Sequence, residues 1–225
     1  MRLRLGQIGC SDRTVTTYLT TERMLLRRFT DADLDWLAAL HGDPAVMRYI
    51  DDGKPVAAAV VAAETLPAIL RDYVELPDGL GYFAATERLG GRPLGWFGLR
   101  PPSSTGLDQA ASDTAEIGYR LFPAVWGRGY ATEGTRALVR HACTELGLER
   151  VVATTMTVNV ASRRVLEKAG LSLVRTFYAQ WPTYIEGAEH GDVVYEIAGQ
   201  DWRPATIRAR AAGRPRYRSD GRLRG

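Results

Sequence analysis

Runs in which apolar residues recur every second position alternate along this chain with runs of helical period, and their order sets the expected architecture. Arg23-Met-Leu-Leu-Arg-Arg-Phe29 reads as an opening strand. Thr30, with Asp31 and Asp33 after it, is an N-cap signal for a helix to about Leu40, because a short side-chain oxygen there accepts from orphan amides of the first turn. Asp43-Pro44 starts a second short helical piece. Pro55 and the alanine-rich stretch to about Glu75 predict a third helix, kinked at Pro67, whose ring removes a backbone donor.

Beyond that point the period changes. Gly81–Glu87 and Arg92–Arg100 are strand-like and are joined by Leu89-Gly90-Gly91, which favours a tight hairpin. Thr114–Leu121 makes a third strand after a polar loop, completing an antiparallel meander. Trp126-Gly-Arg-Gly-Tyr-Ala-Thr-Glu133 then feeds a helix to about Leu146, with Leu138, Ala142 and Cys143 on one buried face. Val151–Thr157 is β-branched and uncharged, as a central strand buried on both faces should be. Asn159 ends it. Ser162–Lys168 is a further helix stopped by Gly170, and the runs 171–178 and 192–198 close the sheet. The fold class is α+β with a mixed sheet.

Composition narrows the setting. The 225 residues are 45% hydrophobic and 24% charged, which is enough apolar material for one sizeable core. The longest apolar run, Val56–Ala63, falls far short of the roughly 20 residues a bilayer requires. The N-terminus lacks a continuous apolar segment of the secretory kind. Cys10 and Cys143 form neither a disulfide framework nor a zinc pattern, so a reducing, cytoplasmic setting is expected. His41, His141 and His190 have no metal-ligand spacing, and no metal is expected. The net charge of +3 is unevenly distributed. Eight arginines against Asp220 in residues 202–225 leave residues 1–201 at −4. The expected organisation is an N-terminal extension over 1–17, a folded domain over 18–204 and a basic, disordered tail over 205–225.

The glycines of Trp126–Glu133 carry the first chemical signal. Small residues between a strand and a helix N-terminus let a backbone approach an anion, and the helix dipole with Arg128 favours a pyrophosphate there. Gly127 and Gly129 equally suit plain turns with positive φ. The third glycine of the dinucleotide fingerprint is missing, with Thr132 in its place.

Several segments in order carry a more specific signal: Thr21–Arg27, Asp43–Tyr49, Glu116-Ile-Gly-Tyr119, Trp126–Glu133, Asn159-Val-Ala-Ser162 and Glu167-Lys-Ala-Gly170. With them the chain resembles the GNAT superfamily of acyl-CoA N-acyltransferases, most closely its RimJ/RimL-type branch. The resemblance implies a mostly antiparallel sheet of six to seven strands flanked by helices, splayed where strands 114–121 and 151–157 diverge at a bulge. It implies acetyl-CoA as cosubstrate, its pyrophosphate on the backbone amides of Arg128 to Thr132. The motif's first residue falls on Trp126 and its last on Ala131, with Gly127, Gly129 and Tyr130 between. Leu121 and Phe122 at the strand end would pair with the pantetheine amides, and an N–H near Leu121 would polarise the thioester oxygen.

Acyl transfer from a thioester to an amine needs a proton acceptor, a donor to the carbonyl oxygen and an acid for the leaving thiolate. Glu116 is the candidate acceptor, directly or through water; an ordinary strand carboxylate paired with an arginine fits the same position. Ser162 is the candidate acid by resemblance and a helix cap by position. Asn159 would hold the cofactor or simply end its strand. Trp36, Trp96, Trp181 and Tyr184 are candidates to line the acceptor side, although aromatics at such positions are more often core.

The expected activity is N-acetylation of a primary amine by direct attack. The amine belongs to a protein N-terminus, such as that of a ribosomal protein, or to a small molecule such as an aminoglycoside or a polyamine. A rival reading is an inert module that docks on RNA or the ribosome through the arginine-rich tail. A homodimer is compatible with either, and a membrane partner is not expected.

Overall fold

The computed structural model describes residues 16–104, 106–108, 110–179 and 183–202. All but the last two residues of the N-terminal extension, the whole basic tail and Trp181 lie outside the described residues. Eight strands, β1 (Thr17–Thr20), β2 (Met24–Arg27), β3 (Gly81–Glu87), β4 (Pro93–Arg100), β5 (Thr114–Leu121), β6 (Arg150–Met156), β7 (Ser172–Phe177) and β8 (Asp192–Ala198), form one sheet in the order β1-β2-β3-β4-β5-β6-β8-β7. The sheet thus has one strand more than the six to seven expected. The addition is β1, a four-residue edge strand whose sequence Thr-Tyr-Leu-Thr is too short and too polar to register as a period.

The described residues fall into two compact units: those up to Gly98 with Tyr119–Tyr130, and Leu99–Gly118 with those from Ala131 onward. In the first, a 3-10 turn at Asp31–Asp33 leads into α1 (Leu34–His41). Thr30 stands at the N-cap as expected, and the bonds join it to the Asp33 carboxylate: its amide donates to Oδ2 at 2.8 Å and its hydroxyl at 3.2 Å. Asp33 itself is buried and meets Arg27 through two bonds of 2.7 and 2.6 Å, while the Trp36 indole donates to Oδ1 at 2.8 Å. Burial pushes this carboxyl up, but the donors outweigh burial and hold it below the usual carboxylate range.

Asp43 caps α2 (Pro44–Met47), accepting from Ala45 N at 2.8 Å. The third helical stretch begins at Ala58 rather than at Pro55. It runs as α3 (Ala58–Val60), a π turn over Val61–Thr65, and α4 (Leu66–Glu75). The kink expected at Pro67 takes the form of that π turn, which accommodates the missing donor without ending the helix. Phe29, Leu37, Leu40, Val46, Val61, Leu66, Ile69, Ala84 and Trp96 pack together as this unit's core.

Two features of this unit decide its rigidity. Gly95 in β4 has φ +134°, and a Cβ there would overlap the Arg120 carbonyl oxygen and lie 2.7 Å from Leu121 Cα. Only glycine lets the two backbones approach so closely. His41 is buried between two donors, with the Trp96 indole N–H on Nε2 at 3.3 Å and an Arg120 guanidinium nitrogen 3.3 Å from Nδ1. A neutral ring can accept from one of them and a protonated ring from neither. Burial and then Arg120 pull its pKa from 6.5 to about 4.

In the second unit, β5 runs parallel to β6 over Thr114–Glu116 against Arg150–Val152, and β8 pairs antiparallel with β6 over its full length. The β5–β6 ladder ends at Glu116, although β5 continues to Leu121 and β6 to Met156. An early end of this kind is what a splayed sheet requires. β6 is less enclosed than its sequence suggests, since Thr154 and Thr155 are half-buried. α5 (Tyr130–Thr144) buries Leu138, Val139 and Ala142, whereas Cys143, expected on that face, is only half-buried. α6 (Val160–Ala169) ends at Gly170 in the left-handed region, as its sequence predicts. Among the described residues no helix is long and apolar enough to cross a membrane.

Two outcomes test these features. Gly95→Ala should destabilise the protein by about 3 kcal/mol or more, read as a lower urea midpoint, because backbone and not a flexible side chain must yield. The buried His41 takes a proton more readily unfolded than folded, so its contribution is complete above pH 6.5 and is lost as pH falls towards 4. His41→Gln should remove up to about 3 kcal/mol of the stability change between pH 7 and pH 4 seen in chemical denaturation.

Candidate cofactor and catalytic residues

The segment that follows β5 is held by a bond to β4 and by one within itself. Phe122 N donates to Leu94 O at 3.0 Å. The Trp126 indole donates to Leu121 O at 2.7 Å, so this half-exposed ring is fixed by a hydrogen bond more than by burial. A carbonyl oxygen can accept two such bonds. A 3-10 turn over Pro123–Val125 brings the chain to Gly127, with φ +70°, and Gly129, with φ +84°. Arg128 stands between them and Tyr130 opens α5. Left-handed glycines on either side of Arg128 can turn successive N–H groups the same way, which makes an anion cradle beside a helix N-terminus. Gly127, Arg128 and Gly129 are exposed, as a ligand-contacting backbone must be.

One residue braces this loop that sequence reading did not single out. Arg23 Nη1 donates to the Arg128 carbonyl at 2.9 Å, and its guanidinium carbon lies 4.4 Å from the centre of the Tyr130 ring. The partners are more than a hundred positions apart, so no local pattern could reveal them.

The remaining candidates belong to the second unit. Ala131 and Thr132 occupy the first turn of α5, half-buried. Glu116 sits at the last paired position of the β5–β6 ladder and is 4% exposed. Its Oε2 accepts from Ser103 N at 2.9 Å, Ser104 N at 3.1 Å and the Ser103 hydroxyl at 3.2 Å, and its Oε1 accepts the Ser104 hydroxyl. Arg100 lies 3.8 Å away. The expected arginine is present, but the serines are the nearer partners. They come from the loop at 101–113, where sequence offered no period to place them.

Asn159, not Ser162, caps α6: its side-chain oxygen accepts from Ser162 N at 3.2 Å. The Ser162 hydroxyl therefore stands in the first turn of the helix. Arg163, next in the chain, ties this helix start down by donating to Thr157 O at 3.1 Å and to the Tyr195 hydroxyl at 3.2 Å. Tyr195 in turn donates to Glu167 at 2.7 Å. Burial raises the Tyr195 pKa, so it stays a neutral donor.

The structure therefore brings together Leu121, Trp126, Arg128 and Tyr130 in one segment, and Asn159 with Ser162 in another. Trp36 stacks on Phe29 and Trp96 is buried in the core. Tyr184 is exposed and donates to Glu189 at 2.9 Å. Among the described residues no three His, Cys, Asp or Glu side chains gather as a metal-ion group would.

Comparison with known proteins identifies the family. A family model of the acetyltransferase (GNAT) domain matches residues 23–172. The FsC-acetyl coenzyme A-N(2)-transacetylase of Aspergillus fumigatus is 34% identical over 197 residues, covering 85% of this chain and 82% of that protein. Among solved structures, the GNAT-family acetyltransferase from Bacillus anthracis superposes with a TM-score of 0.62 at 23% identity, over 81% of this chain and 99% of that one. RimL, the ribosomal L7/L12 α-N-protein acetyltransferase in complex with coenzyme A, superposes with a TM-score of 0.64 at 16% identity, over 81% and 97%. With a matched domain over most of its length, an open mixed sheet and a glycine loop at the head of α5, this chain belongs to the GNAT acetyltransferase family and is an N-acetyltransferase of the kind that uses acetyl-CoA.

Proposed function

We propose that this enzyme acetylates a primary amine by direct attack on acetyl-CoA, with the cofactor's pyrophosphate on the backbone amides of residues 127–132. The observation that carries the reading is the pair of left-handed glycines around Arg128, exposed at the entry to α5. Free amides and the helix dipole both favour a pyrophosphate there, and Arg128 adds positive charge. Leu121 and Phe122 border the pantetheine arm. Asn159 meets the cofactor through its amide nitrogen.

In the step itself the amine nitrogen forms a bond to the thioester carbon, the oxygen gains negative charge, and the carbon–sulfur bond breaks as the tetrahedral species collapses. Glu116 takes the proton released by the amine, through water or through the Ser104 hydroxyl on Oε1. Ser162 gives a proton to the leaving thiolate. No acyl-enzyme forms. The Aspergillus relative, named for transfer to an N(2) nitrogen and similar along most of its length, supports a nitrogen acceptor. RimL shares the fold and is named for a protein N-terminus. Both acceptor classes stay within the proposal, small amines and protein N-termini.

Calorimetric titration with acetyl-CoA and CoA tests the cofactor reading, followed by a screen of amines and N-terminal peptides for thiol release. Micromolar binding is expected, and Gly129→Glu should abolish it by setting negative charge and bulk against the pyrophosphate; a variant that binds as well as wild type sinks the site. Glu116→Gln separates anchor from base. The amide oxygen can keep the Ser103 and Ser104 N–H bonds while the Ser104 hydroxyl turns to accept. A fall in kcat of about 100-fold at unchanged CoA affinity identifies a proton acceptor. Unchanged kcat would make Glu116 an anchor for its loop and nothing more.

A further inference from the structure

The Thr21–Arg27 motif contributes two guanidinium groups to the first unit, and only one of them serves the core. Arg27 neutralises the buried Asp33. Arg23, just before β2, points instead to the glycine loop. Its own backbone is fixed there, since Arg88 N donates to Arg23 O at 2.8 Å. Its side chain meets the residues before and after Gly129: Nη1 binds the carbonyl of Arg128, and the guanidinium carbon lies 4.4 Å from the Tyr130 ring centre. A Cβ built on Gly129 would lie 3.4 Å from Nη2, so the guanidinium also covers the glycine between them.

The ring that Arg23 covers is held in turn. The Tyr130 hydroxyl donates to Glu87 Oε1 at 3.4 Å, and Glu87 accepts from Arg92 at 2.6 and 3.2 Å. The hydrogen bond from Arg92 is the chief cause that holds the Glu87 carboxyl below the usual carboxylate range. Glu87 and Arg92 flank the β3–β4 hairpin, where Glu87 N donates to Arg92 O at 2.8 Å. The loop thus rests on a regular part of the sheet.

We propose that Arg23 is a positioning residue for the cofactor: it holds the Arg128 carbonyl before Gly129 and the Tyr130 ring after it, and so aims the loop's amides at the pyrophosphate. The physical need follows from the glycines. Two left-handed glycines within three residues leave the loop many conformations, and only those with the amides turned together bind an anion. Fixing the Arg128 carbonyl fixes the peptide plane whose other end is the Gly129 N–H, because the peptide unit is planar. A loop ordered beforehand loses less entropy on binding. A planar fork suits this double task, donating in its plane while its face lies on a ring, and lysine cannot do both.

The proposal rests on reading residues 127–132 as the pyrophosphate site, and the test keeps the two apart. Arg23→Ala and Arg23→Lys are compared with wild type using acetyl-CoA, acetyl-dephospho-CoA and S-acetyl-pantetheine as donors. With the first two, Arg23→Ala should raise KM about tenfold with kcat within about twofold, and Arg23→Lys should fall between. With S-acetyl-pantetheine, which has no pyrophosphate, kcat/KM should not change. A penalty that persists with S-acetyl-pantetheine, or that appears in kcat alone, marks a general structural role and overturns the proposal. A penalty that vanishes with acetyl-dephospho-CoA marks direct contact with the 3′-phosphate and overturns it too. If Gly129→Glu abolishes CoA binding and Arg23→Ala leaves every donor unaffected, the site stands and the clamp does not. If Gly129→Glu binds CoA normally, the site reading itself has failed.

Discussion

The parallel ladder between β5 and β6 lasts for three residue pairs, and the course of both strands turns on its ending there. Parallel strands inside a sheet normally satisfy each other's backbone groups along their length. Here Glu116 and Val152 are the last partners, and each strand goes on towards a different element. β6 keeps β8 beside it to Met156 and delivers the chain to the Asn159 cap. β5 runs on to Leu121 and into the glycine loop. Buried backbone groups cannot go without partners at small cost, so the residues around Leu121 need other arrangements. The Trp126 indole on Leu121 O and the Leu94 carbonyl on Phe122 N are two of them.

Much of this organisation is legible in the sequence, for reasons that differ from element to element. β3, β5 and β8 appear between the residues expected, since each is a run of apolar and β-branched residues bounded by turn formers. Gly170 ends α6 as its sequence says, because only a residue tolerant of positive φ can close a helix that way. β1 escapes because an exposed four-residue edge strand gains little from apolar alternation. Spacing predicts Leu138, Ala142 and Cys143 on one buried face; the buried stripe of α5 does pass through Leu138 and Ala142, but takes in Val139 and leaves Cys143 half-buried. Helical period gives the stripe's direction, and the neighbours decide its width.

The site divides along the same line. Gly127 and Gly129 are visible because a conformational requirement leaves its mark at the residue that meets it. Asn159 and Ser162 are visible as a pair, yet which of them caps the helix depends on a register of one turn. What holds the visible residues in place is not visible at all. Ser103 and Ser104 reach Glu116 from a polar loop with no periodicity, and Arg23 reaches Arg128 across most of the first unit's sequence. Side chains that act through long-range hydrogen bonds carry no local signal, because their identity suits solvent as well as it suits the partner.

Arg120 illustrates how tightly one residue can join two kinds of structure. Its backbone closes on Gly95, where no side chain fits, one residue before β5 ends at Leu121. Its guanidinium meets His41, lies 3.6 Å from Met47 Sδ and 3.7 Å from an Asp51 oxygen, and stands 5.3 Å from the centre of a Trp96 ring. His41 ends α1 and Met47 ends α2, so the strand that leads into the glycine loop is tied to both short helices through one side chain. Because His41 is neutral and buried, a partly buried cation can stand beside it without like-charge repulsion. A substitution among these helices that disturbs His41 is therefore expected to reach Arg120, the neighbour of Leu121, without touching the loop itself. Through this one side chain the two short helices are joined to the strand that leads into the glycine loop.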